Sequence, residues 1–294
     1  MRRSPAALAA TALAACAFLT ACSDSDASAD GTAGADGTVD VLASFYPLQY
    51  VVEQVGGEHV TVSNLTPPAA EPHDLELSPA QVRDIGTADL VVYLSGLQAA
   101  TDEAVSAQSP EHVVDSAEAA EADAADPHFW LEPTRLSLVG DAVAAELSAI
   151  DPDNAADYAA GAEALTATLD GLDEEFSEGL AQCEGATLVT SHEAFGYLAD
   201  RYGLVQEGIS GINPDAEPSP KRLRDVRAIV ERDGVSTLFF ERSLGPKVTQ
   251  TLADDIGVST ALLDPLESRT DESRDYVDIM RANLEALTTG LACD

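Results

Sequence analysis

Residues 152–182 carry an apolar face about thirty residues long, and this limits the folds open to the chain. Tyr158, Leu165, Leu169, Leu172, Phe176 and Leu180 follow at intervals of seven, four, three, four and four. That spacing puts all six on one stripe of an α-helix. Asp151 ahead of Pro152 supplies an N-cap candidate and a proline at the first helical position. At about 1.5 Å per residue such a helix runs roughly 45 Å, a rod and not a hinge. Gly161, Gly171 and Gly179 weaken it only locally.

On both sides of the rod, short apolar strands alternate with helical patterns. Before it, "VDVLAS" reads as a strand, residues 48–55 as a helix and "HVTVSNL" as a second strand. Ser78-Pro79 reads as a helix start, and "DLVVYLSG" and "HVVDS" as further strands. After residue 185 the strands are "ATLVTSH", "VQEGISG", "STLFFE" and "STALLDP", with helices near 194–202, 219–233, 246–256 and 272–290. Strand–helix alternation predicts parallel sheets covered by helices on both faces. The expected class is α/β, with two lobes, each a mostly parallel sheet flanked by helices, joined by one long rigid helix. The boundaries expected are 39–150, 151–182 and 183–294. The chain has 294 residues, enough for two lobes with cores of their own.

The first 21 residues stand apart. Arg2 and Arg3 precede an apolar stretch over 5–19, too short to span a bilayer comfortably. Leu19-Thr20-Ala21-Cys22 resembles the bacterial lipobox, which implies cleavage before Cys22, lipidation of its sulfur, and a protein anchored to the outer face of the cell membrane. Residues 23–38, small, acidic and without large apolar groups, read as a flexible tether within a 22–38 segment. The formal net charge is −37, and loss of a leader holding two arginines and no carboxylate makes the mature chain more negative still. Such a field repels nucleic acid and anionic lipid surfaces. Of four cysteines, Cys16 belongs to the leader and Cys22 is the lipid acceptor. Cys183 and Cys293 remain as a pair able to form one disulfide outside the cytoplasm, two buried thiols being the alternative.

Five histidines remain to be placed. His59 and His112 sit at strand starts beside glutamates and read as solvated surface residues. His73, His128 and His192 lie where strands give way to loops, and Asp264 follows an apolar strand in the same manner. In open parallel sheets, ligands gather beyond the carboxyl ends of the strands. Three imidazoles and a carboxylate drawn from two lobes could therefore meet in the crevice between them.

The motifs "EPHDLELSP", "DPHFWLEP", "SHEAFGYLADRYGL", "EPSPKRL", "FFE" and "LLDPLE" occur in that order. Together they resemble the zinc/manganese solute-binding lipoproteins of bacterial ABC importers, over about residues 39–290. The resemblance implies that His73, His128 and His192 are three metal ligands and that Asp264 holds the carboxylate position. It also implies an ABC-transporter permease as partner and a monomer that is not an enzyme. Two departures stand out. The segment before His128 is short, acidic and free of histidine, where many zinc-specific relatives have a long His-rich loop. Pro72 stands immediately before His73, where some relatives supply a fourth ligand, which favours Asp264 for that place over Glu71.

Imidazole suits zinc, whereas manganese prefers a larger share of oxygen, so three histidines and one carboxylate point to a tetrahedral Zn2+ as the transported ion and to Mn2+ as the lesser alternative. Glu241, at the end of "LFFE", could accept a proton from a ligand imidazole, or simply be a helix-cap or surface carboxylate. Trp130 reads as packing beside the site. Three histidines with an open position would also describe a secreted zinc hydrolase, but the chain has no HExxH and no other hydrolase motif. A metal-dependent adhesin would overlap with the receptor and has no separate sequence mark.

Overall fold

The computed structural model describes residues 37–241, 247–269 and 271–293. The leader, the lipidation site Cys22 and the tether as far as residue 36 lie outside the described residues. The first sheet contains β1 (Val39–Ala43), β2 (Val60–Asn64), β3 (Leu90–Tyr93) and β4 (Val113–Asp115). Its helices are α1 (Tyr46–Gly56), α2 (Pro79–Ile85), α3 (Ala99–Gln108), α4 (Ser116–Ala119) and α5 (Pro133–Ile150). Helix α6 (Ala155–Gly179) leads to a second sheet of β5 (Thr187–Thr190), β6 (Val205–Gly208), β7 (Thr237–Phe240) and β8 (Ser259–Leu262). With it go α7 (Gly196–Tyr202), α8 (Pro220–Asp233), α9 (Lys247–Ile256) and α10 (Tyr276–Leu291). Every pairing is parallel, and the two sheets repeat one order, β2-β1-β3-β4 and β6-β5-β7-β8. The α/β class with two parallel-sheet lobes and a long helix between them is what the periodicity predicts.

Local chemistry explains the element starts. Ser78 accepts from the Gln81 backbone N–H and Gln81 returns a bond to the Ser78 N–H, a capping box with Pro79 at the first helical position. The rod differs in detail from expectation. Residues 152–154 form a 3-10 turn, and α6 proper begins at Ala155. Asp151 does not cap it: its carboxylate accepts from the Asn154 amide (2.7 Å) and the Tyr158 hydroxyl (2.9 Å), bracing the turn between α5 and α6. The structure adds α5, an 18-residue helix beyond the sequence expectations, whose Leu136, Val139, Val143 and Leu147 are fully buried. The long helix is thus one arm of an α5–α6 hairpin.

All six residues of the α6 stripe are buried, within one contiguous core that extends from Val39 to Leu287. Helix α6 packs on α1 and α5 in the first lobe and on α10 in the second. Gly161 permits the closest of these approaches, since a Cβ there would stand 2.4 Å from the Val55 carbonyl oxygen. Smaller clusters fill the outer faces, beneath α2 and α3 in one lobe and α8 and α9 in the other. Among the described residues no helix is long and apolar enough to cross a membrane.

A disulfide joins Cys183, just past α6, to Cys293, just past α10, across a sequence separation of 110 residues. Closing so long a loop removes chain entropy worth up to about 4–5 kcal/mol. Denatured, unreduced protein should therefore show neither thiol reactive, and reduction should lower the midpoint of denaturant unfolding; two reactive thiols would exclude the bridge.

Candidate metal centre

Strand register assembles the second lobe's half of the centre. β5 and β7 pair with Thr190 opposite Phe239, so the residues that follow, Ser191-His192 and Glu241, emerge side by side. The Glu241 carboxylate accepts from His192 Nδ1 at 2.5 Å and, through the same oxygen, from the Ser191 hydroxyl. With Nδ1 engaged, Nε2 of His192 faces inward. Sequence reading offered Glu241 this role as one of two alternatives, and the geometry is that of the imidazole partner.

β8 runs beside β7 and ends in the turn "DPLE". The Asp264 carboxylate accepts from the Leu266 N–H at 2.9 Å, an Asx-type turn, and the Asp264 backbone is clamped by the Asn283 amide at 2.9 and 2.7 Å. Leu266 takes left-handed backbone, φ 57°, with its side chain fully buried. That reversal sends Glu267, 2% exposed, into the crevice. Asp264 is therefore not the carboxylate that meets the histidines; Glu267 is, because Asp264 is used in building the turn that delivers it.

The first lobe contributes His73 from the loop after β2 and His128 from the segment before a 3-10 turn over Phe129–Leu131. Glu267 Oε1 lies 3.3 Å from His73 Nε2, 3.2 Å from His128 Nε2 and 3.4 Å from His192 Nε2. The His128 and His192 Nε2 atoms are 3.4 Å apart, and the four donor atoms all lie within 4.8 Å of one another. His128 and His192 are fully buried; only His73, with 9% of its side chain exposed, reaches solvent. Asp126 Oδ1 accepts from His128 Nδ1 at 2.7 Å, a partner that sequence reading missed although "DPH" holds it. Trp130 packs beside the centre as expected, its ring 5.1 Å from that of His128 and its indole N–H donating to the Pro265 carbonyl at 2.7 Å.

Electrostatics follow from this packing. Burial opposes a charge on His192, but hydrogen bonds to Glu241 and Glu267 outweigh it and raise its pKa to about 10. His128 is raised in the same way, against burial, by Asp126 and Glu267. Burial would lift Glu267, yet its bonds to the three imidazoles hold it well below the usual carboxylate range. Glu71, the other fourth-ligand candidate, stays outside the converging group. It donates no atom to the cluster, accepts from the His73 N–H at 3.2 Å, and is pushed up to about 8 by burial and by the charge of Glu267. His59 pairs with Asp157 (3.2 Å) and His112 with Glu146 (2.6 Å), both apart from the centre.

Residues 41–290 match the family model described as "Zinc-uptake complex component A periplasmic". The chain is 33% identical over 275 residues to the zinc-binding lipoprotein AdcA of Streptococcus pneumoniae serotype 4, covering 85% of this chain but only 55% of that protein. It is 32% identical over 277 residues to the high-affinity zinc uptake system protein ZnuA of Bacillus subtilis, covering 85% and 87%. Its fold superposes on the laminin-binding protein Lmb of Streptococcus agalactiae, described as bifunctional with adhesin and metal-transporting activity, with a TM-score of 0.80 at 33% identity over 86% of this chain and 99% of that one. The match spans nearly all of both lobes and includes every residue of the four-donor cluster, so the chain belongs to the ZnuA family of zinc-uptake component A proteins.

Proposed function

We propose that this protein is a receptor that captures Zn2+ outside the cytoplasm and delivers it to an ABC-transporter permease. One observation carries the reading. Zinc bonds of about 2.0–2.1 Å in a tetrahedron require neighbouring donors roughly 3.3 Å apart. Four of the six donor pairs, Glu267 with the three imidazoles and His128 with His192, lie 3.2 to 3.4 Å apart, and all four donors lie within 4.8 Å of one another. Three nitrogens and one oxygen suit zinc better than manganese, whose sites are richer in oxygen. Four protein donors also complete the tetrahedron and leave no position for an activated water, which separates a receptor from a zinc hydrolase. The names of the pneumococcal and Bacillus relatives support the same cargo.

In this reading residues 1–21 are a signal peptide, Cys22 carries lipid and 22–38 tether a monomeric body to the outer face of the membrane. Lobes 39–150 and 183–294 are joined through 151–182. Cys22→Ser should move the protein from the membrane fraction to the soluble one; retention at the membrane would remove the anchor.

Ligand identity is tested by substitutions that keep shape. Glu267→Gln, His73→Ala, His128→Ala and His192→Ala should each weaken zinc binding by a hundredfold or more in competition with a chromophoric chelator. Asp264→Asn, which keeps the turn's acceptor oxygen, should stay within a few-fold of the parent, as should His59→Ala and His112→Ala. Tight binding by the Glu267 variant with loss in the Asp264 variant would reverse the assignment.

A coordinating imidazole must be neutral, so a metal displaces whatever protons His128 and His192 hold. Both have raised pKa values; His192, raised to about 10, holds its proton at neutral pH and gives it up when zinc arrives. Affinity should therefore rise with pH between 6 and 8, about tenfold per pH unit for each proton released. Calorimetry in buffers of different ionisation enthalpy counts those protons, and a count of zero would contradict the electrostatic account.

A further inference from the structure

Asp126 makes contacts on three sides. Its Oδ1 accepts from His128 twice, from ring Nδ1 at 2.7 Å and from the backbone N–H at 3.0 Å. Its Oδ2 rests against Gly196, the first residue of α7 in the second lobe, where a Cβ would stand 2.4 Å away. Gly196 does not occupy left-handed backbone, so local conformation does not require glycine there; the carboxylate does. The neighbouring Tyr197 hydroxyl accepts from the Asp123 N–H at 2.6 Å. Arg135 of α5 lies over the Tyr197 ring, 5.1 Å from its centroid, and donates to the carbonyls of Ala120 and Glu121 at 2.8 and 3.0 Å. The segment that carries His128 is thus tied to its own lobe by Arg135 and seated on the start of α7.

We infer that Asp126 and Gly196 form a positioning latch across the two lobes: the bare α-carbon of Gly196 lets the Asp126 carboxylate close on Nδ1 of His128, which fixes the ring with Nε2 facing the cation. The inference rests on the metal role proposed for His128. An imidazole without such a partner is free to place its proton on Nε2 or to turn, and either removes the lone pair that binds metal. Because Asp126 is the end of a short, partly exposed side chain, at 22% exposure beside a groove of about 530 Å³, a methyl group at position 196 would displace it from His128 while leaving the core untouched. His192 differs, because its carboxylate partner Glu241 is buried within the same lobe and needs nothing from the other.

A double-mutant cycle on the full chain tests the latch. Asp126→Ala and Gly196→Ala should each lower zinc affinity ten- to a hundredfold, and the double variant should be no weaker than the weaker single, since both remove the same contact. In the zinc-loaded parent, the His128 Nδ1 proton should appear as a slowly exchanging imidazole signal in ¹⁵N-correlated spectra, and both single variants should lose it. Parent-like affinity in either variant, additive losses in the double, or survival of that proton signal would each overturn the latch. His128→Ala separates the two levels: if it binds zinc as the parent does, the metal-site reading fails; if it does not, while the latch variants bind normally, only the latch fails.

Discussion

Because one stripe of α6 is buried along its whole length, against α1 and α5 at one end and α10 at the other, neither sheet can slide without uncovering apolar surface. Exposing a single Leu or Phe from such a core costs about 1.5–3 kcal/mol, and the stripe holds Tyr158, Leu165, Leu169, Leu172, Phe176 and Leu180. The disulfide between Cys183 and Cys293 fastens the same helix to the end of α10. The segments beside His128, His192 and Glu267 share that core through Trp130, Phe195 and Leu266, whereas the loop that carries His73 adds no residue to it. The two lobes are therefore held together where they meet, and of the segments that carry the histidines the His73 loop is the least fastened to that frame.

Within that frame the centre is a problem of buried charge. Glu267 lies in the interior and would be costly there without partners; three imidazoles supply them. Two of those imidazoles are held from behind by carboxylates, His128 by Asp126 and His192 by Glu241. Behind His73, among the described residues, the backbone N–H donating to Glu71 is the one hydrogen bond; the residue sits between Pro72 and the start of α2 and is the most exposed of the four. A divalent cation bound as proposed would compete with protons for the same nitrogens, which would make its capture a pH-dependent exchange in an enclosed site.

The family's lobes and rod were legible because periodicity encodes them. Alternating apolar strands specify parallel sheets, and a 3.6-residue stripe specifies α6. Helix α5 carries an equally regular stripe, Leu136, Val139, Val143 and Leu147, which an expected helix starting only after Asp151 leaves out. With α5 in place, Asp151 falls between two helices, and its carboxylate braces the turn instead of capping a helix.

Sequence alone brought His73, His128 and His192 forward as a candidate set, through their places at strand ends and through the family resemblance that their motifs carry. It could not decide which acid of "DPLE" completes the group. That depends on Asp264 accepting from the Leu266 N–H and on Leu266 turning left-handed, two local events that move the acidic position three residues along the chain. Nor could it pair His128 with Asp126 across from Gly196, because residues seventy apart in sequence meet only once α5 and α7 are packed. Residue type sets what a side chain can bind, while its direction is set by backbone turns and neighbours that exist only in the folded chain.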